Sequence, residues 1–181
     1  MARTTAFLVA ALMLSACSAS ASRPALVPST VRPIGAPVYA REQGFMLRLP
    51  HERWSVADAG AATISIVHAR RGARVTLTPL PLSEGGFIAT VDVVRREAIT
   101  SGCTIQPGSA GYMVDTYGRR AVMAARRTVG GDIQDGEITV LEFEGRDGVI
   151  VISAWWPEIP AGWVIEDVHS IVDSIRPLPG A

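Results

Sequence analysis

Lysine is absent: all 17 basic residues are arginine, and 17 acidic residues bring the formal net charge to zero. Such a chain has no whole-surface attraction for nucleic acid, so a nucleic-acid partner is not expected. Cysteine is nearly absent, with Cys17 and Cys103 alone, which excludes the disulfide framework of small secreted scaffolds. Histidine is confined to His51, His68 and His169. They are far apart, and none has a second ligand-type residue at the spacing of a metal signature, so neither metal nor cofactor is expected. No apolar run approaches the roughly 20 residues of a membrane-spanning helix. The longest, residues 6–14 and 148–156, reach about half of that. His-Glu-x-x-His, the phosphate-cradling Gly-x4-Gly-Lys and Gly-x-Ser-x-Gly are all missing, and Gly108-Ser109-Ala110-Gly111 resembles the last only superficially. Without a nucleophile, base and orienter, no catalytic residues are assigned and an enzyme is not expected.

What is present begins at the N-terminus. Arg3 precedes the apolar run AFLVAALML, which ends in Leu14-Ser15-Ala16-Cys17. A positive start, a short apolar core and small residues before a processing point form the secretory signal pattern. Leu14-Ser15-Ala16-Cys17 resembles the lipobox of bacterial lipoproteins. That resemblance implies cleavage after residue 16, a diacylglycerol thioether on Cys17 and acylation of the new amino group. Two or more chains anchor a protein stably where one does not. Ser18 stands where aspartate would favour inner-membrane retention, so the resemblance implies an outer membrane facing the periplasm if the cell is Gram-negative. Residues 17–43 then carry prolines at 24, 28, 33 and 37 among Ser, Ala and Thr. A stretch without hydrophobic period cannot bury enough to offset its ordering entropy, so it reads as a disordered or polyproline-like tether. Residues 44–179 make a single domain.

In that domain Phe45–Leu49 alternates and stops at Pro50, and residues 62–69 and 74–80 pair as a hairpin across Arg71-Gly72. Residues 87–101 have helical spacing through Ile88, Val91, Val94, Ala98 and Ile99, with Gly102 as the stop. Short strands follow at 112–116 and 119–128, then a GGDIQDG loop, then a hairpin of 137–144 with 149–155 across Asp147-Gly148. Residues 162–175 form an amphipathic helix with Val164, Val168, Ile171, Val172 and Ile175 inward. The expected fold is α+β, an α/β/α sandwich with a mostly antiparallel sheet of about six strands and helices on both faces. The Phe45–Pro50 strand with Arg53-Trp54, the 148–155 strand and the Ser174-Ile175-Arg176-Pro177 ending together resemble the PsbP-like family. That resemblance implies a non-enzymatic scaffold or binding module.

Two features are candidate partner surfaces. Trp155, Trp156 and Trp163 surround a Pro-rich turn, and exposed tryptophans anchor interfaces. Arginine pairs, Arg119-Arg120 among them, suit phosphate or carboxylate groups if they gather. Trp155 and Trp156 face opposite ways on a strand, so helices on both faces bury both; otherwise one of them, with Trp163, gives an aromatic patch. Cys103 reads as a half-buried small hydrophobe, the alternative being an intermolecular disulfide or a reactive thiol. The function expected is that of a lipid-anchored, exported accessory protein binding a partner in a cell-envelope complex. The alternative is a binder of a small amphiphile or anionic envelope polymer. Cys17→Ser is expected to move the protein from the membrane to the soluble fraction on fractionation, and a variant that still pellets with membranes rejects anchoring at this residue.

Overall fold

The computed structural model describes residues 35, 37–60, 62–115, 118–158, 160 and 162–178. Cys17, the signal segment and most of the expected tether lie outside the described residues. In chain order the elements are β1 (Pro37–Ala40), β2 (Phe45–Arg48), β3 (Trp54–Ala59), β4 (Ile64–His68), β5 (Arg74–Leu80), α1 (Gly86–Thr100), β6 (Thr104–Ile105) and β7 (Gly111–Asp115). After them come β8 (Gly118–Val129), β9 (Asp132–Phe143), β10 (Val149–Pro157), α2 (Gly162–Asp173) and β11 (Arg176–Pro177). Among the described residues the large sheet has eight strands in the order β3-β4-β5-β10-β9-β8-β6, with β7 also paired to β8, and a second sheet has the order β1-β2-β11. Every pairing is antiparallel.

The sheet is wider than the expected six strands because β3 adds to the edge at β4, and β6 and β7 share the outer edge of the long β8. Strand β1 occupies residues assigned above to the tether: Val38 and Ala40 are buried against the core beside Phe45 and Leu47. The expected GGDIQDG loop is also replaced. Gly130 and Gly131, both at positive φ, make a two-residue turn that pairs Val129 with Asp132, the backbone preferred between twisted antiparallel strands. The remaining residues of that segment extend β9.

Alternation along β10 divides the interior in two. Ile150, Ile152, Ala154 and Trp156 join α2 through Val164, Val168, Ile171 and Val172. Val149, Val151 and Trp155 join α1 through Phe87, Val91, Val94 and Ala98. The helices therefore cover opposite faces, as a sheet apolar on both sides requires. On α1 the buried stripe runs Phe87, Thr90, Val91, Val94 and Ala98, whereas Ile88 and Ile99 are exposed. Each lies one residue, about 100° of helical turn, beyond a stripe position. Gly102, at positive φ, closes α1 as expected: its N–H donates to the Ile99 carbonyl, and the Cys103 N–H donates to Ala98. Ser174 fixes the far end of α2 by accepting the Arg48 N–H at 2.8 Å and donating to the Ile171 carbonyl at 2.7 Å.

Gly136 is required where the two long hairpin strands meet β10. It pairs with Trp155, and a Cβ here would lie 2.2 Å from the Ala154 carbonyl oxygen and 2.5 Å from the indole. Gly136→Ala is expected to destabilise the fold by about 2–3 kcal/mol through overpacking, read as a lowered denaturation midpoint in urea. An unchanged midpoint rejects this packing.

Candidate functional site

The side chains of chemical interest collect where α2 crosses the β3–β4 hairpin. Trp54 opens β3, His68 closes β4, and the two are register partners. His51 lies in the connection from β2 to β3, held three residues before the start of β3 by the Trp54 N–H donating to its carbonyl at 3.1 Å. Trp163 and Asp167 stand four residues apart on α2, and so share one face. Asp167 is the hub: its Oδ2 accepts from the Trp54 indole N–H at 3.0 Å and lies 2.8 Å from His51 Nε2. The His68 ring packs edge-on against Trp54 with centroids 5.2 Å apart, and against His51 and Trp163 at 5.9 and 5.3 Å. Arg71, in the turn after β4, covers Trp163 with its guanidinium 5.4 Å from the ring centroid, a cation–π contact.

Backbone donors set the tautomers. The Arg53 N–H donates to His51 Nδ1, and the Arg70 N–H donates to His68 Nδ1, both at 3.2 Å. An imidazole nitrogen that accepts carries no proton, so each ring proton sits on Nε2. His51 thus has both ring nitrogens engaged, one with Arg53 and one with Asp167. A general base needs a free nitrogen facing substrate, and this imidazole presents none in this geometry. His68 differs: it is 5% exposed, and its Nε2 is buried with no hydrogen-bond partner. Burial lowers its pKa from the ordinary 6.5, assisted by His51, Arg53 and Arg71 and opposed by Asp167.

The residues singled out in the sequence fall elsewhere. Trp155 and Trp156 are 3% and 5% exposed. They are core residues rather than interface anchors, because helices cover both faces of β10. Arg127 adds to the enclosure of Trp155, its guanidinium 4.1 Å from the ring centroid. Trp163 is half-buried and belongs to the cluster above. Arg119 and Arg120 do not gather into a basic patch. Arg119, opposite Glu142 in register, makes a two-pronged ion pair with it, which raises the guanidinium pKa, and it overlies Phe87. Arg120 binds Asp173 of α2 at 2.5 Å. Arg126 similarly pairs with Asp135 at 2.7 Å across the same hairpin. The third histidine, His169, is separate, with Nε2 3.1 Å from both oxygens of Glu137. Cys103 is buried in the α1 core. The convergence of His51, His68 and Asp167 escaped the sequence reading. The one available signal was His51 lying between Pro50 and Trp54, inside the opening motif.

No protein-family model and no curated protein matches this chain. Solved structures do. The Ran-binding protein Mog1p of Saccharomyces cerevisiae superposes with a TM-score of 0.59 at 11% identity, over 81% of this chain and 97% of that one. Cyanobacterial PsbP (CyanoP) of Synechocystis sp. PCC 6803 gives 0.58 at 12% identity, over 78% and 91%. The fold is Mog1/PsbP-like. LpqN of Mycobacterium tuberculosis, described as involved in cell envelope biogenesis, gives 0.52 at 14% identity, over 80% and 86%. At such identities the likeness concerns the fold, and side-chain roles have to be argued from this chain's own geometry.

His68 carries a testable linkage. Its folded pKa is lowered, so the unfolded chain takes up the proton first as pH falls. The stability is complete above the unfolded value of 6.5 and is lost as pH drops from there toward the folded value. The urea midpoint is expected to fall more between pH 7.5 and 5 for the natural protein than for His68→Phe. Parallel pH profiles reject a neutral buried His68.

Proposed function

We propose that this chain is an exported, lipid-anchored accessory domain that binds a protein partner in a cell-envelope complex and performs no covalent chemistry itself. The observation that carries the binding part is strand β7. It runs along the outer side of β8 and exposes three consecutive residues, Tyr112, Met113 and Val114, at 52%, 48% and 82%. An edge strand is ordinarily blunted by lysine, proline or inward charge because it offers unpaired N–H and C=O groups to another chain. Gly111-Tyr112-Met113-Val114-Asp115 has none of these within its apolar triplet. Addition of a partner strand here supplies main-chain hydrogen bonds, with the triplet giving side-chain selectivity.

Three things support the accessory reading. Mog1p is named as a Ran-binding protein and LpqN as a participant in envelope biogenesis. The Leu14–Cys17 lipobox supplies the tether. The engaged nitrogens of His51 disfavour acid–base catalysis. Binding of an amphiphile instead finds support in a cavity of about 500 Å³ lined by Leu80, Pro81, Phe143, Arg146 and Ile150. Its arginine already donates to the Leu178 carbonyl at 2.5 Å, which turns that charge toward the protein.

The test is photocrosslinking in the native envelope from Met113, with Arg96 on α1 as control. A discrete protein adduct from Met113 alone, lost when Val114→Asp is added, is the expected result. Lipid or glycan adducts without protein overturn the partner reading in favour of ligand binding.

A further inference from the structure

We propose that His51, His68 and Asp167 bind a divalent transition-metal ion of the zinc class, tying α2 to the β3–β4 hairpin. One ligand atom from each residue lies within 4.8 Å of the others. The three come from separate parts of the chain, so their meeting is a product of tertiary packing. Two imidazoles and a carboxylate are a zinc-type donor set, with a fourth position left for water. Calcium and magnesium prefer all-oxygen shells, and the absence of a thiolate from the trio disfavours cuprous ion.

The orphaned nitrogen of His68 is a separate observation. Its Nδ1 faces the Arg70 N–H, which leaves Nε2 buried and unpartnered. An unsatisfied buried polar atom is a standing cost of folding. It persists here in a pocket walled by Trp54 and Trp163, where an apolar ring would pack as well. A bare ion needs no preformed cavity. It takes the place of the proton between His51 Nε2 and Asp167 Oδ2, now 2.8 Å apart. Zinc bonds of about 2.0–2.1 Å put tetrahedral ligand atoms roughly 3.3 Å from one another. The existing spread therefore has to contract by roughly 1.5 Å at most on its longest side.

The tautomers define what binding must move. Coordination through Nε2 shifts each ring proton to Nδ1, so the contacts from the Arg53 and Arg70 N–H groups are given up. Both are 3.2 Å long, at the weak end of the hydrogen-bond range. The Trp54 indole keeps its hold on Asp167 and orients the carboxylate. Arg53 and Arg71, which already act on His68, oppose added positive charge, so the ion is bound reversibly and a chelator removes it.

The experiment uses full-length protein in detergent, stripped with EDTA, then titrated with Co²⁺ and Zn²⁺. Expected are a four-coordinate Co²⁺ absorption band saturating at one equivalent and its displacement by Zn²⁺. Tm should also rise by several degrees with Zn²⁺, reversed by EDTA. Asp167→Asn, which preserves an oxygen acceptor for His51 and Trp54, is expected to weaken Zn²⁺ binding at least tenfold and lose the band. His68→Phe, which keeps the ring packing, should do the same. No four-coordinate band in the natural protein overturns the proposal. So does a zinc response unchanged in Asp167→Asn, which would assign the ion to another surface such as His169 and Glu137. If His68→Phe fails to fold, the Asp167→Asn comparison decides.

Discussion

Strand β10 is buried on both faces from Val149 to Trp156, and the rest of the architecture follows from that. A strand buried at every position, apolar but for Ser153, has to be central and covered twice, which requires neighbours on both edges and a helix above and below. Strands β5 and β9 supply the edges, and α1 and α2 the covers. Trp155 and Trp156 are the extreme case of the alternation, one large ring sent into each core. The space for Trp155 exists because its register partner is Gly136, and Arg127 closes over its other side.

The same register disposes of the charge. Arg119 faces Glu142 and Arg126 faces Asp135 along the β8–β9 hairpin. Rows that look like a basic segment and an acidic segment in the sequence are therefore interleaved in space. Cross-strand pairs of this kind add little stability when exposed, but they remove a polarised surface. Among the described residues the exposed apolar side chains include the β7 triplet Tyr112, Met113 and Val114, and Trp163 is half-buried under Arg71.

Packing of α2 against the β3–β4 hairpin accomplishes two things at once. Its apolar stripe seals one core, while the flank carrying Trp163 and Asp167 gathers polar groups that no local pattern connects. Asp167 satisfies Trp54 and His51 with a single oxygen, and His68 is left with one nitrogen turned to the backbone and the other unmatched. Buried polar clusters that are only partly satisfied mark places where stability has been exchanged for something else. Acid sensitivity and affinity for a metal ion are two expressions of that one arrangement.

Periodicity in the chain by itself determined the α+β class, the two helices on opposite faces, the strand cores of both long hairpins and the Gly102 stop, because each rests on contacts within a few residues or on the choice of inward face. The stripe of α2, Val164 to Val172, was legible for that reason, although the helix ends at Asp173 and Ile175 is buried just beyond it. Strands β1, β6 and β11 were not: pieces of two to four residues carry no period, and they exist only because β2 and β8 offer edges. The depth of Trp155 and Trp156, the neutralisation of Arg119 and Arg120, and the meeting of His51, His68 and Asp167 were decided by tertiary structure alone. Each depends on which residue lies opposite across a strand or a layer, at separations of 23 residues for Arg119 and Glu142 and 116 for His51 and Asp167. Distance along the chain bears no trace of that proximity.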